Sequence, residues 1–135
     1  MTDVFSPEMR SLVMGRVGSK DTKPEMVVRR MIHSLGFRYR LHRSDLPGKP
    51  DLVFSSRRKV IFVHGCFWHG HACPASARPQ SNRSYWNEKL DKNILRDKCN
   101  YRALRKLGWS VLKVWECETR NPGRLRDKIV RFLEG

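Results

Sequence analysis

Between positions 64 and 73 the sequence reads His64-Gly-Cys66-Phe-Trp-His69-Gly-His71-Ala-Cys73, directly after the apolar run Val60-Ile-Phe-Val63. A short buried strand therefore empties into a loop crowded with soft and borderline metal ligands. Cys66, His71 and Cys73 are good zinc ligands, and a closed tetrahedral site needs a fourth. Cys117 is the best candidate, because it follows the strand pattern Trp109 to Trp115, which a central sheet would bring back beside the loop. Cys99 would have to leave its helix face, and it reads better as a small buried hydrophobe. Zinc in this position would pin a long loop that has little apolar content of its own. The competing reading is a loop that is merely rich in cysteine and histidine.

Periodicity sets the frame around that loop. Ser6-Pro7 opens a short first helix with Met9, Leu12 and Val13 on one face, ended by Gly15. Thr22 and Glu25 have capping-box spacing ahead of Val27, Val28, Met31 and Leu35, and Gly36 closes that second helix. Phe37, Tyr39 and Leu41 alternate as in a half-exposed strand, and Pro47-Gly48 forces a turn. Asp51 to Phe54 and Val60 to Val63 read as strands, Ser84 to Leu107 as a long helix, and Trp109 to Trp115 as a last strand. Asn121-Pro122 starts a final helix with Leu125, Ile129 and Phe132 on one side. A long helix between the third and fourth strands implies a crossover, and so a mixed sheet with helices against it. No repeat or linker interrupts residues 1–135, which read as a single domain with a basic arm over residues 1–20.

Charge narrows the partners. Lys and Arg number 28 against 13 Asp and Glu, a formal net charge of +15. The cations are spread through the periodic segments, which suits a folded face for a polyanion, nucleic acid above all. No apolar run approaches the ~18 residues of a membrane span, and the N-terminus has no signal-peptide core. A cytoplasmic protein is expected, associated with the nucleoid when bound to DNA.

If zinc takes the four residues above, His64 and His69 stay available for other chemistry. Asp51 opens a strand beside the one that ends at His64, and a carboxylate and a histidine so placed could hold Mg²⁺ and move protons next to it. From spacing alone the safer reading of Glu25 is a helix-capping role, and Asp after Pro is common in turns. Phe67, Trp68 and Trp86 could pack together under the loop or insert between base pairs as a wedge. Trp86 reads as lying off the line of Leu90 and Ile94, whereas Trp109 and Trp115 read as core.

These residues carry a family likeness. Met9-Arg10 and Met14, Asp21-Thr22-Lys-Pro-Glu25, Leu46-Pro-Gly-Lys-Pro-Asp51 and Val60-Ile-Phe-Val-His64-Gly-Cys-Phe-Trp-His69 belong to it. So do Tyr85-Trp86, the stretch from Asn93 to Asp97, and Gly108-Trp109 through Trp115-Glu-Cys117. From about Met9 to Phe132 the chain resembles the very short patch repair endonucleases, the Vsr family of DNA mismatch nicking enzymes. The Gly-Cys-Phe-Trp-His block with its downstream His and Cys is the specific part; the Pro-Asp turn is not.

The resemblance implies an α/β fold of the restriction-endonuclease-like PD-(D/E)XK type, with Phe62-Val63-His64 where the usual acidic and lysine positions of the third strand would be. It implies a nick 5′ to the thymine of a T:G mismatch in duplex DNA, the product of 5-methylcytosine deamination. Asp51 would bind one or two Mg²⁺ ions together with the backbone carbonyl of Val63, which stands where some relatives carry Thr. His64 and His69 would act through metal-bound water and on the phosphate, supported by Glu25. Cys66, His71, Cys73 and Cys117 match the structural Zn²⁺ ligands. Phe67, Trp68 and Trp86 match the wedge, Met14 a minor-groove contact, and Lys89 and Asn93 contacts to the mismatched pair. A monomer working beside a cognate DNA cytosine methyltransferase and mismatch-repair proteins is the expected setting. Two other readings stay open from sequence: a zinc-containing mismatch-binding module without catalysis, and a restriction enzyme that cuts both strands.

Overall fold

The computed structural model describes residues 22–67, 69, 71 and 81–135. The predicted first helix, the basic arm with Met14, and Trp68 and Cys73 of the loop lie outside the described residues.

Helix α1 spans Lys23–Ser34. The Thr22 hydroxyl accepts the Glu25 amide at 3.3 Å, and a proline in the first turn costs no hydrogen bond there. Strands β1 (Arg40–Leu41), β2 (Leu52–Phe54) and β3 (Lys59–His64) follow in antiparallel order. Helix α2, Arg83–Lys106, crosses over to β4, Ser110–Trp115, which pairs with β3 in parallel. Helix α3, Pro122–Glu134, ends the chain, with Asn121 Oδ1 accepting the Arg124 amide at 3.3 Å. The sheet order β1-β2-β3-β4 is the mixed sheet expected from the crossover.

Alternation along the strands sends side chains to opposite faces and divides the core in two. Leu52, Phe54, Ile61 and Val114 pack against Val28 and Ile32 of α1 and Leu125, Ile129 and Leu133 of α3. Val53, Val60 and Phe62 pack against Tyr101 and Leu104 of α2, with Trp109. Side chains of this kind contribute about 1.5–3 kcal/mol each when fully buried, so both helix layers are held to the sheet independently of any metal. Lys59 Nζ reaches the carbonyls of Phe132 at 2.6 Å and Gly135 at 2.7 Å, and so cations cap the open end of α3.

On α3 the expected side holds: Leu125 and Ile129 are buried and half-buried Phe132 packs against the same core, with Leu133 added to it. The structure corrects three details. Cys99 is exposed, because the stripe of α2 that faces the sheet runs through Leu90, Tyr101 and Leu104, and two residues turn the helix away from Tyr101. Trp86 lies one turn before Leu90 on that same stripe and is buried. Trp115 is half-buried at the end of β4 and belongs to the site described next. One glycine fixes the approach to it: Gly48 has φ +78, and a Cβ there would meet Asn100 of α2 at 3.0 Å.

Candidate active site

Three clusters of metal-capable side chains gather where β2, β3 and β4 meet the loop: Glu25, His42 and Asp51; His64, His69 and Asp97; and Cys66, His71 and Cys117. In each, the potential ligand atoms lie within 4.8 Å of one another.

The first cluster is built by the turn before β2. Asp51 Oδ2 accepts the Val63 amide at 2.7 Å, so the carboxylate is fixed to the end of β3. His42, in left-handed backbone at φ 48, donates from Nε2 to Glu25 Oε2 at 2.8 Å and stands 3.9 Å from Asp51 Oδ1. Glu25 is buried, and its carboxylate turns into this cluster while its backbone amide is capped by the Thr22 hydroxyl. Burial pushes the Asp51 carboxyl up to about 7; the Val63 amide opposes the shift, and the charge of Glu25 adds to it. Two crowded, desolvated carboxylates form a hard-oxygen donor set that a bound cation would relieve, and Mg²⁺ takes one or two protein carboxylates and keeps its remaining water. The residues fit the ion. Val63 packs its side chain into the core against α1 and α3, so only its backbone is offered to the site.

The second cluster follows along β3. The His64 ring stacks on that of His69 with 3.8 Å between centroids and hydrogen-bonds through Nε2 to the hydroxyl of Tyr101. Burial, then the proximity of His69 and Lys113, push His64 well below the ordinary histidine range, so it works as a neutral ring. Burial raises the Tyr101 phenol, which stays protonated and donates to a bare Nε2. His69 Nδ1 donates to Asp97 Oδ2 at 2.5 Å. A carboxylate behind Nδ1 fixes the tautomer and leaves Nε2 as the nitrogen that can exchange a proton with a substrate.

The third cluster includes His71 Nδ1 and Cys117 Sγ, 3.5 Å apart, with Cys66 fully buried beside them. The His71 ring is stacked at 4.2 Å on Trp115, which orients it toward Cys117. Ligand atoms each about 2.0–2.3 Å from one centre lie at about this mutual distance in a tetrahedral site. The donor set of two thiols and an imidazole fits zinc. The remaining ligand read from sequence, Cys73, is outside the described residues. Of the aromatic residues that the sequence resemblance matched to a wedge, half-buried Phe67 meets buried Trp86 edge-on at 5.5 Å, and Lys89 and Asn93 lie one and two turns further along α2.

Residues 2–75 match the sequence model of the DNA mismatch endonuclease Vsr family. The chain belongs to the Vsr family of DNA endonucleases. It is 50% identical over 134 residues to the type II nicking enzyme V.XorIIP of Xanthomonas oryzae pv. oryzae, covering 99% of this chain and 98% of that one. It is 45% identical over 133 residues to the type II nicking enzyme V.NmeAIP of Neisseria meningitidis, covering 98% and 95%. With the DNA mismatch endonuclease Vsr of Escherichia coli it shares 39% over 128 residues, covering 95% and 82%. The fold is that of the catalytic domain of the homing endonuclease I-Bth0305I, at a TM-score of 0.59 and 20% identity over 83% of this chain and 94% of that domain.

Reading this Vsr chain from sequence missed His42, the role of Asp97, and the contacts of Tyr101 and Trp115. Asp97 carried a signal: it falls three residues after Ile94 and four before Tyr101, a carboxylate on the stripe that faces the sheet. His42 carried none, since its part depends on a backbone turn that no local pattern announces.

Proposed function

We propose that this Vsr-family endonuclease nicks one strand of duplex DNA 5′ to the thymine of a T:G mismatch, starting very short patch repair of deaminated 5-methylcytosine. The observation that carries this reading is the junction at Val63: its amide holds Asp51, and the next residue, His64, stacks on a His69 backed by Asp97. A carboxylate pair for a cation thus adjoins a histidine prepared to move a proton, on a framework we read as restriction-endonuclease-like. Mg²⁺ bound by Asp51 and the Val63 carbonyl supplies phosphate charge neutralisation and a more acidic water. Glu25 and His42 position Asp51. His69 exchanges a proton at Nε2 near the scissile phosphate, and neutral His64 with Tyr101 forms the wall behind it. Zn²⁺ held by Cys66, His71, Cys73 and Cys117 keeps that wall in place.

Selectivity for a mismatch has an energetic source. Wedging side chains into a duplex costs on the order of a few kcal/mol per unstacked step, and less beside a weakly stacked wobble pair. Phe67 and Trp68 would supply the wedge, with Trp86 bracing Phe67, while Met14 enters the minor groove and Lys89 and Asn93 meet the mismatched pair. The names of the nicking relatives support a cut in one strand. A monomer suffices for that cut, and a cognate cytosine methyltransferase and mismatch-repair proteins are the proposed partners.

The test is an end-labelled duplex with one T:G pair, with and without Mg²⁺, beside a T:A control. A Mg²⁺-dependent cut 5′ to the mismatched T is expected. Tight mismatch binding without a cut in several flanking contexts would leave a binding module, and cutting of both strands of the T:A duplex would make it a restriction enzyme.

A further inference from the structure

The second half of α2 does not share the chemistry of the site it adjoins. A cleft of about 750 Å³ opens beside His69 and Asp97 and continues along Lys98, Arg102, Arg105 and Lys106, with Lys113 of β4 on its other side. The acid in its lining, Asp97, is already engaged by His69. Among the described residues none of the five cations has an ion-pair partner, whereas Lys92, earlier on the same helix, is paired with Glu88 at 3.1 Å. Lys98, Arg102 and Lys106 stand four residues apart, so like charges are stacked on successive turns, an arrangement that weakens a helix in isolation. Lys113 is drawn in over the Tyr101 ring at 4.9 Å, which brings a fifth positive charge toward the row.

We infer that this cleft is a track for backbone phosphates of the strand being cut, leading away from the scissile phosphate at His69. The inference rests on the reading of the protein as a DNA endonuclease. The geometry fits a polyanion better than a single small anion, because the charges form a row and not a cup. The stretch from Lys98 to Lys106 rises about 12 Å along the helix, which matches about three to four phosphate-to-phosphate steps of one strand at an axial 3.4 Å each. These contacts carry no base information; they fix the register of the strand, while the mismatch is sensed elsewhere.

The experiment measures affinity for a T:G duplex between 50 and 200 mM salt without Mg²⁺, for the wild type, the double variant Arg102→Gln/Lys106→Gln, and a control on the opposite helix layer, Arg126→Gln/Arg131→Gln. Loss of two phosphate contacts should make the slope of log K against log salt shallower by about 1.8, so that the loss across this range is about 12-fold smaller than in the wild type. The control should keep the wild-type slope. An unchanged slope in the first variant, or an equal change in the control, overturns the track. Methylphosphonates placed within three nucleotides of the scissile phosphate assign the strand: they should weaken the wild type and add little to the double variant. An effect confined to the uncut strand overturns that assignment. Binding is the readout, so a protein that nicks no duplex would sink the proposed activity and leave the track to be judged by its slope.

Discussion

Asp51 Oδ2 accepts the Val63 amide at 2.7 Å, which ties the head of β2 to the tail of β3 and holds a carboxylate in a buried place beside Glu25. That arrangement has a cost that depends on pH. Burial raises the Asp51 carboxyl to about 7 from an ordinary value near 3.8. Between those values the folded protein keeps a proton that the unfolded chain has released. The group's contribution to stability is therefore full below about 4 and is lost as pH rises through 7. Asp51→Asn keeps an acceptor for the Val63 amide and removes the charge. In Mg²⁺-free buffer the variant should match the wild type near pH 4 and be more stable at pH 8, by on the order of a few kcal/mol in urea unfolding. Cleavage should be abolished. A variant less stable than the wild type at pH 8 would mean that Asp51 is a structural ion-pair partner.

Asp97 acts through His69. Its carboxylate accepts Nδ1–H, and an amide in its place can present a donor and turn the ring to the wrong tautomer. Asp97→Asn should lower the single-turnover cleavage rate by on the order of 10²-fold or more, with duplex affinity and unfolding midpoint retained. Asp97→Glu should recover part of the rate. If Asn and Glu variants are both as fast as the wild type, His69 does not need orienting, and its place as the proton carrier is lost.

The frame was legible because its signals are local. Thr22 and Glu25, Gly36, Pro47-Gly48 and Asn121-Pro122 mark ends, and the strands of the central sheet are apolar runs whose period leaves little choice of face. The site was legible in part. Asp51, His64 and His69 are close in sequence to the strands that position them, and spacing reached them. His42 approaches Glu25 across 17 positions and His69 approaches Asp97 across 28, so both pairs exist only once the sheet and its crossover are assembled. Glu25 shows the same limit: its cap role is written in a four-residue pattern, whereas its contact with His42 is written in the tertiary fold.

Tyr101 closes the buried end of His64. Tyr101→Phe leaves Nε2 without its partner while keeping the ring that packs on Phe62 at 5.3 Å. An unsatisfied buried polar group costs about 1–3 kcal/mol, and the variant should lose that much in urea unfolding at neutral pH. Lowering the pH below the ordinary histidine value acts through His64 with the opposite sign to Asp51, so the effect is read in the Asp51→Asn background, where stability should fall. A His64 held neutral in the fold takes no proton there, while the unfolded chain does, so the loss begins at about 6.5 and continues toward the lower folded value. A Tyr101→Phe protein with wild-type stability would show that water replaces the hydroxyl.

Cys117 reaches His71 from the turn after β4, at the end of the parallel β3–β4 pair, and buried Cys66 completes the group. Serine is nearly the size of cysteine but a far poorer zinc ligand, so Cys117→Ser should separate metal loss from packing loss. We expect about one Zn²⁺ per wild-type chain and little in the variant. The variant's unfolding midpoint should fall by the amount that a strong chelator removes from the wild type, and the chelator should take nothing further from the variant, because only the folded site binds the ion. The core clusters should still give a cooperative transition, since they hold both helix layers without it. Full zinc retention in Cys117→Ser would mean that the ion is bound by another set of residues, and that the approach of Cys117 to His71 is packing alone.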